Sequence, residues 1–133
     1  MSLLDIMEIS ASGLTAQRLR LDIIASNLAN VETTRTDNGM PYRRKVPIFR
    51  ELLDHFSGTP KGVEVIGIVE DNSPFRMVYD PGHPDANREG YVLYPNVNPV
   101  IEMADMISAT RSYEANLALV NASKNMFIKS LEI

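Results

Sequence analysis

Every proline in this chain falls between Pro41 and Pro99, and that confinement decides where long helices can run. Six of the seven glycines lie between Gly39 and Gly90, and only Gly13 stands outside. Proline and glycine punctuate secondary structure most strongly, so the chain divides into a breaker-poor N-terminal arm, a turn-rich middle and a breaker-free C-terminal arm. Seven of the nine aromatic residues also sit in the middle.

Both arms carry a helical pattern. Leu3, Met7, Ser10, Leu14, Gln17, Leu21, Ile24, Leu28 and Val31 alternate by four and three residues. Seven of these nine are apolar, which makes a heptad-like seam. Ser2 is placed to cap this helix, with Asp5 three residues on. The Asn38-Gly39 pair stops it. In the C-terminal arm Met103, Met106, Thr110, Tyr113, Leu117, Val120, Lys124, Phe127 and Leu131 alternate by three and four, again with seven apolar members. Asn98 followed by Pro99 is an N-cap with proline at the first helical position. Ala104, Ala115, Ala118 and Ala122 lie beside this seam and allow a neighbouring helix to approach closely.

The middle reads as strand and loop. Val63–Val69 and Phe75–Tyr79 are rich in β-branched and aromatic residues and are bounded by turn signals. Tyr42–Phe49 is a third candidate, assigned to an edge because of Pro47, and Arg50–Phe56 reads as a short helical turn. The expected fold class is therefore α with a small β insertion. Long N- and C-terminal helices pack as a coiled-coil-like pair around a short β/loop middle region. The boundaries are residues 1–35, 36–97 and 98–133.

Length then sharpens the expectation. At about 1.5 Å per residue the two helices span roughly 44 Å and 50 Å. A compact chain of 133 residues has a radius of gyration of about 14 Å, so both helices overshoot it. One antiparallel pair leaves apolar surface uncovered, which points to association with other chains. The competing reading is a helical hairpin closed as a monomer or dimer. Pattern alone leaves the two level. Gly13 likewise has two readings, a close approach to a neighbouring subunit or a tolerated imperfection costing about 1 kcal/mol.

Little in the chain suggests chemistry. Cysteine is absent, which removes disulfides and thiol nucleophiles. There is no phosphate-binding glycine loop and no nucleophile elbow. Asp80–Asn87 contains His83 and two aspartates, with Glu89 nearby, but it matches no zinc spacing and reads as a rigid turn. His55 stands without a partner. Arg43-Arg44-Lys45 is the one basic cluster, in a chain of net charge −4. Three charges are a weak nucleic-acid footprint and read better as a solvated or subunit-facing edge. Residues 1–50 carry seven basic against five acidic side chains, and residues 51–133 six against twelve. The seven methionines read as packing. No catalytic residue, cofactor, metal, nucleic acid or small-molecule substrate is expected. No run of about 18 apolar residues exists to span a membrane. The start of the chain lacks a basic segment and an apolar run before a small-residue cleavage site. An exported protein of this kind needs a route that reads no cleavable signal.

Ser10–Asp22 running into Ile24–Val31 resembles the N-terminal signature of the flagellar rod, hook and hook-associated axial proteins. Within that family the chain is most similar to the proximal-rod type. Thr33–Thr36 with Gly39–Lys45 resembles that type's segment after the first helix. Asp80–Asn87, Gly90–Val92 and Tyr94–Asn98 resemble its junction with the second helix. Ala109–Asn116 resembles the axial C-terminal motif. Val31-Glu32-Thr33-Thr34 replaces the Thr-Pro-Gly-Tyr-like segment of many axial proteins, which argues against the other small rod subunit and the distal-rod type. The short middle argues against the hook proteins.

The resemblance implies a structural subunit of the basal-body rod, a periplasmic drive shaft that transmits torque. It implies export through the flagellar type III apparatus, and contacts with proximal and distal rod subunits, with the MS-ring/rod junction protein and with further copies. It also implies that the terminal helices build the inner tube. Because their seams lack a partner, the arms are expected to be largely unfolded or loosely helical in the free subunit and to order on incorporation. The expected assembly residues are Met7, Leu14, Leu21, Ile24, Asn27, Leu28 and Asn30 on the first helix. On the second they are Met103, Met106, Tyr113, Leu117, Val120, Phe127 and Leu131. Leu14, Leu21, Ile24 and Leu28 are expected against Tyr113, Leu117, Val120 and Phe127. The alternative is a soluble helical-hairpin adaptor or chaperone-like protein, and a small metal enzyme centred on His83 is a more distant rival.

Overall fold

The computed structural model describes residues 2–133. Two long helices enclose two antiparallel ribbons in the chain. Helix α1 spans Leu3–Ala29 and helix α2 spans Pro99–Leu131. Between them run β1 (Lys45–Leu53), β2 (Pro60–Glu70), β3 (Arg76–Tyr79) and β4 (Tyr91–Tyr94). Strand β1 pairs with β2 and β3 pairs with β4, in two separate two-stranded sheets.

The helix starts follow from their capping residues. Asp5 N–H donates to Ser2 Oγ at 3.2 Å, and the Asp5 carboxylate accepts the Ser2 N–H at 2.9 Å. This capping box satisfies two backbone donors at once. At α2, Asn98 Oδ1 accepts the N–H groups of Val100 and Ile101, and Pro99 occupies the first turn. Helix α1 ends at Asn30, whose side-chain amide donates back to the Ser26 carbonyl at 2.8 Å. At about 1.5 Å per residue, α1 is about 40 Å long and α2 about 50 Å.

The expected short β/loop insertion is corrected. The middle is built of sheet, with strands of nine, eleven, four and four residues. Arg50–Phe56 is not a helical turn. Arg50 to Leu53 belong to β1, where they pair with Glu64, Val63, Gly62 and Pro60. Glu51, Leu52 and Leu53 are good helix formers, but pairing along the ribbon overrides so short a preference. Pro47 is tolerated because each strand of a two-stranded ribbon is an edge. Strand β4 has only four residues, too few for alternation to show in the sequence.

A two-stranded ribbon is marginal in water and needs a surface to lie on. The β1–β2 ribbon lies on α1. Its anchor is Ser12, whose hydroxyl accepts the Val63 N–H at 3.1 Å. Gly62 precedes that bond with φ of +128°, and a Cβ there would run into the Ser12 side chain. Backbone conformation and contact both require glycine at this point.

The helices pack antiparallel, with Asn27 of α1 beside Glu102 of α2 and Gly13 beside Asn116. Their interface uses small residues. Ser10 and Ala16 are buried on α1, Ala109 and Ser123 on α2. A Cβ on Gly13 would lie 2.8 Å from Asn116 Nδ2. The close approach at Gly13 is therefore to the protein's own second helix. The most deeply buried large side chains are Glu102, Val92, Asn27 and Pro95, so polar residues hold half of the centre.

Candidate assembly site

Five segments meet at a polar junction: α1, the approach to β1, the chain after β2, the chain after β4 and α2. Asn27 uses all four of its hydrogen-bonding positions there. Its amide nitrogen donates to the Lys45 carbonyl at 2.9 Å and to Glu102 Oε2 at 3.3 Å. Its oxygen accepts the Tyr42 hydroxyl at 2.8 Å and the Lys45 N–H at 3.0 Å. The other Glu102 oxygen accepts from Arg44 Nε. Arg44 also reaches Asp71 at 3.4 Å and Asp105 at 3.7 Å. Asn96 closes the outer rim, accepting the Arg44 N–H and donating to the Asp71 and Ser73 carbonyls.

The charges there follow from these partners. Burial works against the Arg44 cation, but hydrogen bonds and attraction from Glu102 and then Asp71 outweigh it and raise its pKa. Hydrogen bonds from the Ser73 hydroxyl and N–H hold the Asp71 carboxyl below its ordinary value, with Arg44 adding to the effect. Arg43 and Arg44 thus turn inward. Arg43 donates to the Asp71 and Ser73 carbonyls and lies 4.2 Å over the Phe75 ring. Lys45 lies 5.7 Å over Tyr42. Of the solvated or subunit-facing edge expected for Arg43–Lys45, Arg43 and Arg44 are held by contacts within the chain, while Lys45 is exposed.

The expected assembly residues divide into two groups. Ile24 and Asn27 are buried. Met7, Leu14, Leu21, Leu28, Asn30, Met106, Tyr113 and Val120 are half-buried. Met103, Leu117, Phe127 and Leu131 are exposed, Met103 at 55% and Leu117 at 41%. Asn30 is occupied at its own helix end, accepting also the Thr33 hydroxyl at 3.1 Å.

Further exposed apolar residues of α2 lie outside the heptad seam. Val100, Ile107, Leu119 and Met126 are exposed, Ile107 at 57% and Met126 at 58%. Val100 and Ile107, one heptad apart, share one face, and Leu119 and Met126 share another about a third of a turn away. Ala104, Ala115, Ala118 and Ala122 run beside them, and those alanines were the available signal. Helix α2 therefore presents apolar residues beyond the face that α1 covers.

The turn containing His83 works as a fastener. His83 Nδ1 accepts the Asp85 N–H at 3.0 Å. Asp85 accepts the Thr34 hydroxyl at 2.6 Å and pairs with Arg35 at 2.9 Å, tying the turn to the chain leaving α1. Among the described residues no three His, Asp or Glu groups converge as metal ligands would.

Comparison with known proteins follows these elements. Residues 7–35 match the model of the flagella basal body rod protein family, and residues 88–133 match the flagellar basal body rod FlgEFG protein C-terminal family. The chain is 49% identical to the flagellar basal-body rod protein FlgC of Bacillus subtilis, across 96% of this chain and 95% of that protein. It is 46% identical to FlgC of Borreliella burgdorferi and 42% identical to FlgC of Salmonella typhimurium, each across all of this chain and 98% of the relative.

Proposed function

The chain belongs to the FlgC family of flagellar basal-body rod proteins, and from that premise we propose that its two helices line the inner tube of a helical shaft. It is a structural subunit of the rod, it resides in the flagellar basal body, and it associates with other rod components. The finer assignment is the proximal rod, where the shaft transmits motor torque. Neighbouring proximal and distal rod subunits, further copies of this chain and the MS-ring/rod junction protein are its contacts. The flagellar type III apparatus is its route across the inner membrane.

In this reading residues 1–35 and 98–133 form the inner-tube domain, and residues 36–97 form a separate module. The carrying observation is the apolar surface of α2 that α1 leaves uncovered. Burial of such surface stabilises by roughly 25 cal/mol per Å², a gain that contact with other subunits realises. A contact between unlike faces that does not close on itself builds a helical tube. Of the fourteen assembly residues named from the sequence, Ile24 and Asn27 pack inside the chain itself, while Met103, Leu117, Phe127 and Leu131 face other subunits directly. Ile107, Leu119 and Met126 join them.

The test is whether the chain is recovered in purified basal bodies. Wild-type protein is expected there. Ile107→Glu is expected in the soluble fraction at normal level but absent from basal bodies. Normal incorporation of Ile107→Glu and Leu117→Glu alike overturns the reading.

A further inference from the structure

The grip between the two helices is uneven along their length. At the end where α1 stops and α2 begins, α2 contributes a fully buried Glu102 and a fully buried Ala109, with Asp105 and Met106 half-covered. At the other end, among residues 117–133, only Val120 and Ser123 are not exposed. The deep contacts at the first end are polar and joined to the sheets. Asn27, Tyr42, Arg44, Asp71 and Asn96 belong to α1, β1's approach, the chain after β2 and the chain after β4. Glu102 is the contribution of α2 to that cluster, through both carboxylate oxygens.

We propose that Glu102 and Arg44 form a clasp that pins the first three turns of α2 to the sheet module, while the rest of α2 is left free to open from α1. A carboxylate buried with its partner is costly to strand, so the start of α2 leaves the junction only if Arg44 and Asn27 lose their partner too. Among the described residues no comparable contact holds the far end, where Val120 and Ser123 are the covered side chains of α2. The device gives the subunit a fixed point and a movable segment on a single helix.

Amide hydrogen exchange on the purified full-length protein tests it. In the wild type, amides of residues 103–113 are expected to exchange at least tenfold more slowly than those of residues 120–130. Glu102→Gln keeps the shape but removes the charge. It is expected to speed exchange at 103–113 by tenfold or more and to leave the β1–β2 amides unchanged. Arg44→Lys keeps the charge but loses the planar fork. It is the milder variant, expected to act in the same direction by at least threefold. Uniform protection along α2 in the wild type overturns the proposal. So does an unchanged profile in both variants. Equal acceleration of the β1–β2 amides overturns it as well, because the cluster is then part of one undivided core.

Discussion

Asn27 and Glu102, 75 residues apart in the chain, share a buried hydrogen bond of 3.3 Å that joins the end of the first helix to the start of the second. Asn27→Leu is expected to cost about 2–4 kcal/mol, because it strands the Lys45 N–H and C=O and the Tyr42 hydroxyl while removing a partner of Glu102. Asn27→Asp is expected to cost at least as much, since it sets a second carboxylate beside Glu102. Urea unfolding of the purified variants measures both. A loss under about 0.5 kcal/mol for Asn27→Leu shows that water replaces these bonds freely.

Gly13 and Asn116 form a second contact between the helices. The nearest obstacle to a Cβ on Gly13 is the tip of the Asn116 side chain, 2.8 Å away. Alanine gains about 1 kcal/mol over glycine inside a helix. Gly13→Ala combined with Asn116→Ala is therefore expected to be more stable than wild type by about that amount. Gly13→Ala alone is expected to fall short of the double variant. A double-mutant cycle by thermal unfolding reads the difference, and strict additivity shows that the two residues do not press on each other.

The helices were legible because capping and breakers act locally. Ser2 with Asp5, and Asn98 with Pro99, mark helix starts by chemistry contained within a few residues. The sheets were less legible. Arg50–Leu53 became strand through partners about ten residues away in β2, a relationship no local window contains. The helix interface was harder still. A heptad seam points to its most apolar residues, yet the buried positions on α2 are Glu102, Ala109 and Ser123. A buried glutamate has no sequence signature apart from its partner. That partner, Arg44, sits in a run whose three positive charges suggest an exposed edge.

Acid is expected to loosen the junction. The Asp71 carboxyl titrates below its ordinary value of 3.8 in the folded protein because the Ser73 hydroxyl and N–H, and then Arg44, favour its charged form. A carboxyl depressed on folding contributes stability fully above its unfolded pKa and loses it as pH falls through the folded pKa. Urea midpoints are therefore expected to fall as the pH drops below about 4, near the unfolded aspartate pKa. Asp71→Asn is expected to lower stability at pH 7 and to make the acid slope shallower. An unchanged slope assigns the acid sensitivity to other carboxylates, among them Asp5 and Asp54, whose pKa values are also lowered by local hydrogen bonds.

Charge substitutions on the helices separate folding from assembly. Leu117 is 41% exposed and lies on the part of α2 beyond the junction. Leu117→Glu is expected to change monomer stability by under about 1 kcal/mol, as surface substitutions do. Leu21 is half-buried on α1, so Leu21→Glu is expected to cost about 1–3 kcal/mol in the isolated chain. Both are expected to abolish swimming, Leu117→Glu with the protein accumulating at normal level and Leu21→Glu with a reduced level. Motility in soft agar, read together with soluble protein level, distinguishes the two routes. Normal swimming with Leu21→Glu removes the first helix from the assembly surface. Normal swimming with Leu117→Glu restricts that surface on α2 to the faces that carry Ile107 and Met126.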